Sequence, residues 1–280
     1  MTIPFYIVNA FTDKRFKGNP AGIVLQANEL SKEIMQKIAA ELKCSETAFV
    51  MNSKRADYMV RFFTPVKEVD LCGHATIATF HVMNKEGILR KEKIEMETKA
   101  GILGIEIKGE EILMEQAKPI FKEIKITRKR IAEALGINEY EIADLPIEAV
   151  STGLFSLNIP IKSLQTIQNM KPDFEKIKEI CVAEEIGSFF VFTFETINKD
   201  CFIHARCFAP LYGVNEDPVT GTANAALAAY LAKHGLLKNN MYKAEQGYEI
   251  GREGIVTVEI NDKIKIGGKA CIVMKGTIDI

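Results

Sequence analysis

The sequence predicts an α+β protein built from two similar domains related by a pseudo-twofold axis. Three observations carry this. The order helix, strand, returning strand, turn, Gly-headed helix occurs twice. The junction Cys72-Gly73-His74-Ala75-Thr76 is echoed at Thr220-Gly221-Thr222-Ala223-Asn224. Each junction is preceded by a matching strand end, Arg61 to Pro65 and Arg206 to Pro210. Two units of this length fit paired domains; a solenoid needs three or more.

Composition sets the class. The chain has 280 residues, 47% hydrophobic and 26% charged, with a net charge of −1, enough for one large or two ordinary cores. Near-neutral charge excludes the basic footprint of a nucleic-acid binder, and the Lys-rich piece Lys122 to Arg130 reads as a solvated face. No segment approaches the ~20 apolar residues of a membrane span, and Met1 to Tyr6 lacks the features of a signal peptide. Six cysteines without a close pairing pattern read as reduced thiols. The expectation is a soluble cytoplasmic protein that binds neither nucleic acid nor membrane.

In order, Phe5 to Phe11 alternates as a strand, Lys17-Gly18-Asn19-Pro20 turns, and Ala21 to Leu25 resumes as strand. Ser31 caps a helix whose Ile34, Ile38, Ala39 and Leu42 share one face. Ser45 to Met51 and Tyr58 to Thr64 form a strand and its return. A small-residue helix then runs from Gly73 to about Glu86, before Gly87. Short strands follow at Ile94 to Thr98, Ile102 to Ile107 and Ile112 to Glu115.

The second half opens after Pro119. Thr127 caps a helix ending at Leu135-Gly136. Ala149 to Pro160 is strand-like, with Gly153 at a turn, and Pro172 to Ala183 is helical. Gly187 to Phe192 and Cys201 to Phe208 are paired strands. The second Gly-headed helix spans Gly221 to His234, and the tail holds two or three strands, among them Ile255 to Ile260, Ile264 to Ile266 and Cys271 to Met274.

Two helix heads with free N–H groups and positive dipole ends suit a carboxylate, and would stabilise an enolate-like charge upon it. Glycine at each head, Gly73 and Gly221, lets backbone approach a ligand closely. Moving a proton along a conjugated acid needs a group that accepts and returns it. A carboxylate suits that work when burial raises its pKa towards about 6–7. Glu46, heading the apolar run Ala48-Phe49-Val50-Met51, is such a candidate; the other reading is a surface residue at a strand start. Aligning Phe49 with Phe190 makes its counterpart Gly187, so the second half lacks a matching carboxylate. His74 is a candidate relay or ligand beside Asp217; the other readings are a histidine bonded to backbone and an aspartate that only caps a helix. His81, His204 and His234 read as structural or surface groups.

Gly18-Asn19-Pro20-Ala21-Gly22, Ser45-Glu46-Thr47-Ala48-Phe49-Val50, Phe63-Thr64-Pro65, Cys72-Gly73-His74-Ala75-Thr76, Glu216-Asp217-Pro218-Val219-Thr220-Gly221-Thr222-Ala223 and Gln246-Gly247-Tyr248-Glu249-Ile250-Gly251-Arg252 are spread along almost the whole chain. Together they resemble the phenazine-biosynthesis PhzF family, which shares its fold with diaminopimelate epimerase. The resemblance implies two domains, each a curled, mostly antiparallel sheet around a central helix. The first would span residues 1–118, with the strand at about 267–280 returning to it, and the second 119–266. It also implies a cofactor-free isomerase, usually a homodimer, acting on a small carboxylate at the cleft between domains. Glu46 carries over as the acid/base group, with His74, Asp217 and Thr222 in the same site; Asn19, Gly73, Gly221 and Thr222 are the substrate-binding residues. Thr222 stands where the phenazine isomerase has Ser, and Cys72 where it has a smaller residue, so the substrate is left unassigned.

Three other readings compete. A two-thiol epimerase or racemase needs a Cys before each Gly, but Thr220 stands where the second is required and is far too weak an acid. Cys201-x-x-His204-x-x-Cys207 has the spacing of metal ligands, yet on a strand the two cysteines point away from His204, so no metal is expected there. A non-catalytic small-acid-binding protein of the same fold is the third.

Overall fold

The computed structural model describes residues 2–280, which divide into a unit of residues 2–115 and 267–280 and a unit of residues 116–266. In the first unit, β1 (Thr2–Ala10) lies between β2 (Asn19–Val24) and β18 (Ala270–Asp279), antiparallel to both. Helix α1 (Lys32–Leu42) crosses from β2 to the parallel β3 (Glu46–Met51). The antiparallel β4 (Tyr58–Phe63) follows, paired with the two-residue β5 (Glu68–Val69). After α2 (Gly73–Lys85), β6 (Lys93–Thr98) returns parallel to β4, and β7 (Gly101–Lys108) and β8 (Glu111–Glu115) continue antiparallel.

The second unit repeats this pattern. After β9 (Ile120–Lys122) and α3 (Arg128–Leu135), β10 (Glu148–Ser151) and β11 (Phe155–Pro160) form a hairpin. Helices α4 (Leu164–Asn169) and α5 (Phe174–Ala183) lead to β12 (Ser188–Thr193), parallel to β11. The antiparallel β13 (Ile203–Ala209) pairs with β14 (Val214–Asp217). After α6 (Gly221–Lys233), β15 (Met241–Gln246) lies parallel to β13 and β16 (Gly254–Ile260) antiparallel to β15. The strand β17 (Ile264–Gly268) runs across the boundary between the units.

In each unit one helix is buried nearly all round. Every residue of α2 from Gly73 to Met83 is buried, as are Gly221 and Ala223 to Leu231 of α6. A helix without a solvated stripe must be a core element, and α2 accordingly packs on β1, β2, β3, β8 and β18. Its buried hydroxyls bond to the preceding turn: Thr76 Oγ1 to Cys72 O and Thr79 Oγ1 to Ala75 O, both at 2.7 Å.

The peripheral helices follow local signals. Ser31 Oγ accepts from Ile34 N at 3.3 Å, and Thr127 Oγ1 from Arg130 N at 3.3 Å. Gly136, in the left-handed region at φ 66°, ends α3. Three expectations change. Helix α5 begins at Phe174 because the Asp173 side chain accepts from Lys176 N at 3.1 Å, leaving Pro172 outside the first turn. Helix α4, not anticipated, is a short piece capped by Ser163, with Ile167 buried. Strands β5, β9, β14 and β15 were also unanticipated; each is held by pairing with a partner strand rather than by a long apolar run of its own.

The repeat extends to an ion pair. Arg61 Nε donates to Glu68 Oε1 at 2.7 Å, while Arg206 Nε and Nη2 donate to the two oxygens of Glu216 at 2.9 and 2.7 Å. Each guanidinium also lies over a ring two residues on, Phe63 at 5.2 Å and Phe208 at 4.9 Å. Taking Arg61 and Arg206 as equivalent corrects one alignment. Phe49 faces Arg61 across its ladder and Val191 faces Arg206, so Glu46 corresponds to Ser188, not Gly187. Ser188 shares a 2.9 Å hydrogen bond with Ser156, and the second unit has no carboxylate at this place.

Candidate active site

In the first unit, β3 and α2 bring four side chains together. Glu46 is the first residue of β3, paired with Ala21 of β2, and its side chain is 22% exposed. It sits at the edge of the buried run Thr47 to Val50 rather than inside it. His74, the second residue of α2, is buried, and its Nε2 lies 3.3 Å from Glu46 Oε2 and 3.2 Å from Ser45 Oγ. On the other side, Cys72 Sγ lies 3.4 Å from Nδ1.

The Ser45 hydroxyl bridges the Pro20 carbonyl, to which it donates at 3.3 Å, and His74 Nε2 at 3.2 Å. Nε2 thus stands between Ser45 Oγ and Glu46 Oε2, and the Cys72 sulfur lies beside the ring, 3.4 Å from Nδ1 and 3.9 Å from Nε2. The imidazole thus lies against one oxygen of Glu46. Ser45 and Cys72 had no role assigned from sequence; for Ser45 the signal was its place directly before Glu46. Asn19 starts β2 and is 1% exposed; Gly73 heads α2 and is buried.

The helix heads differ in a consistent way. Helices α1, α3, α4 and α5 each have a side-chain cap, from Ser31, Thr127, Ser163 and Asp173. At α2 and α6 the N-cap residues, Cys72 and Thr220, are extended and make no side-chain capping bond. The first-turn N–H groups of these two helices thus keep their affinity for an anion.

In the second unit, Asp217 ends β14, and one of its carboxylate oxygens accepts from Thr220 Oγ1. Asp217 is therefore tied to the residue before Gly221. Thr222, partly buried, is the second residue of α6, and its carbonyl accepts from Thr152 Oγ1 at 3.3 Å. Gln246, which no reading of the sequence assigned to the site, braces this corner. Its Oε1 accepts from Thr220 N at 3.1 Å and Asn224 Nδ2 at 3.3 Å; its Nε2 donates to Asp217 O at 2.9 Å and Thr220 Oγ1 at 3.1 Å. The structure thus gathers Glu46 with His74 and Gly73 in one unit, and Asp217 with Gly221 and Thr222 in the other.

Two further clusters bear on the alternatives. His204 is fully buried on β13, with Nδ1 2.8 Å from Glu245 and Nε2 2.9 Å from Glu249. Burial opposes its charging, but the hydrogen bonds to both carboxylates prevail and raise its pKa. His204 is therefore an ion-pair centre, not a partner of Cys201 and Cys207. Burial pushes the Cys207 thiol up to about 12. Among the described residues, the one group of three or more side chains with metal-ligand atoms in reach of one another is Glu46, Cys72 and His74.

Comparison with known proteins agrees with this architecture. Residues 8–276 match the family model described as phenazine biosynthesis-like protein. An uncharacterized isomerase of Bacillus subtilis is 41% identical, covering 96% of this chain and 93% of its own. A crystal structure of a phenazine biosynthesis protein of the PhzF family from Bacillus anthracis superposes with a TM-score of 0.93 at 36% identity, covering both chains fully. A hydroxyproline epimerase from Agrobacterium vitis, 11% identical, covers 99% of this chain and 91% of its own with a TM-score of 0.62, which extends the shared fold to epimerases. The chain belongs to the phenazine biosynthesis-like family, whose curated relatives are named isomerases.

Proposed function

We propose that this protein is an isomerase that moves a proton on a small unsaturated or amino carboxylic acid by general acid/base catalysis, without a cofactor. The observation that carries the reading is Glu46 Oε2 lying 3.3 Å from His74 Nε2 beside the uncapped head of α2. Glu46 takes a proton from a carbon conjugated with the substrate carboxylate. The electron pair left on carbon spreads into the acid as an enolate, stabilised by the first N–H groups of α2. The same proton is returned at another carbon, so bonds rearrange with no net oxidation or reduction. His74 keeps one oxygen of Glu46 aligned, leaving the other to carry the proton. Asp217 and Thr222, at the equivalent head of α6 in the second unit, are proposed as substrate-positioning groups.

The two-base epimerase reading finds less support, because Thr220 donates its hydroxyl to Asp217 and offers no thiol. The test is exchange of carbon-bound hydrogen in heavy water across a panel of unsaturated and amino acids. Wild type should exchange at least one of them, and Glu46→Gln should lower the rate by about 10²–10⁴. Exchange unaffected by Glu46→Gln would remove the assignment. No exchange over the whole panel would favour a binding protein of this fold.

A further inference from the structure

A thiol, an imidazole and a carboxylate meet at the head of α2, and the reaction proposed above uses only two of them. We propose that Glu46, Cys72 and His74 also form a binding site for a borderline-soft divalent cation of the zinc type, whose occupancy silences Glu46. The silencing, though not the binding, rests on reading Glu46 as the proton carrier.

The distances suit the ion. The candidate ligand atoms of the three residues all lie within 4.8 Å of one another. Tetrahedral zinc, with bonds of about 2.3 Å to sulfur and about 2.0 Å to nitrogen or oxygen, sets its ligand atoms about 3.3–3.6 Å apart. With Nε2 as the imidazole's one ligand atom, Glu46 Oε2 is 3.3 Å and Cys72 Sγ 3.9 Å from it. Both edges to the Cys72 sulfur, 3.9 Å to Nε2 and no more than 4.8 Å to the carboxylate, close by side-chain rotation.

The chemistry of the donors narrows the ion. One sulfur, one nitrogen and one oxygen suit zinc or cobalt; magnesium and calcium call for oxygen alone. Three protein ligands leave the fourth position to water or a carboxylate. Binding through Nε2 leaves the ring hydrogen on Nδ1, releases the Cys72 thiol proton to solvent and changes no oxidation state. A Glu46 oxygen that donates its lone pair to the metal no longer accepts a proton from substrate.

Cobalt(II) titration of the full chain tests the site without any turnover. One equivalent should produce a thiolate-to-cobalt charge-transfer band that zinc abolishes. Cys72→Ser should remove the band and weaken zinc at least about tenfold, as loss of a direct ligand costs no less than loss of an outer partner. Glu46→Gln should keep the band and also weaken zinc, with melting curves verifying that both variants fold. Absence of cobalt binding in wild type, or a band surviving in Cys72→Ser, would overturn the site. With any acid the protein exchanges, one equivalent of zinc should stop exchange; undiminished exchange at saturating zinc would overturn the silencing alone.

Discussion

His74 Nε2 lies 3.3 Å from Glu46 Oε2 and 3.2 Å from Ser45 Oγ, whose hydroxyl donates to the Pro20 carbonyl. The chain from Pro20 through Ser45 and His74 to Glu46 ties a strand start, β3, to a helix head, α2. It makes His74 a positioning residue whose contribution can be separated from that of the proton carrier.

His74→Gln, which keeps a side-chain N–H donor, should retain more activity than His74→Leu, which has none. We expect His74→Leu to lower hydrogen exchange by about a hundredfold, the scale of misplacing a reacting group by about 1 Å, with His74→Gln in between. Equal rates in the two variants would show that His74 does not act through its hydrogen bond.

Gln246 makes four hydrogen bonds while 1% exposed, bracing Thr220, Asn224 and Asp217. Gln246→Leu preserves much of the shape but leaves the Thr220 N–H and the Asp217 carbonyl without this partner. The expected cost is about 2–3 kcal/mol of stability, read by urea unfolding, together with a raised KM for any substrate found. An unchanged unfolding midpoint would contradict this bracing role.

The Arg206–Glu216 pair is buried, each side chain 8% exposed, and Arg206 Nη1 also donates to Ile167 O at 2.9 Å. Glu216→Ala strands a buried guanidinium charge, so a loss of about 3–5 kcal/mol is expected. At this chain length that lowers Tm by roughly 10 °C. Differential scanning calorimetry showing a shift under about 3 °C would mean the pair is solvated or replaceable.

Glu68 couples the first unit's stability to pH. Burial alone would raise its pKa, but hydrogen bonds and charge from Arg61 and Lys99 outweigh that and hold it at about 2. A carboxylate depressed on folding stabilises above its unfolded pKa and loses that contribution as pH falls through the folded value. The contribution, about 3 kcal/mol, is complete above pH ~5 and lost between there and pH ~2. Glu68→Gln should flatten acid unfolding over this window. A variant with the wild-type acid profile would show that other carboxylates set it.

What was legible along the chain was what neighbours in sequence decide. Ser31, Thr127 and Gly136 cap and end helices within one turn, and α1, α3 and the two Gly-headed helices lie close to where those signals put them. Short strands such as β5 and β14 carry too few residues to signal themselves and exist because partner strands pair with them. The matched Arg61–Glu68 and Arg206–Glu216 pairs could have been suspected from their like placement in the two halves, but only the return of β5 and β14 brings the charges together.

The same division holds at the site. The sequence alone determined the two-part α+β plan, the paired glycine heads and the residue types at Glu46, His74, Asp217 and Thr222, because helix and strand periodicity and local turn chemistry are written in adjacent residues. Only the tertiary structure decided that His74 meets Glu46, Ser45 and Cys72, that Asp217 is tied to Thr220 and its carbonyl to Gln246, and that Ser188 stands where Glu46 has its counterpart. Those contacts depend on strand register and on which side chains a buried helix turns towards its sheet, and neither is fixed until distant segments have packed.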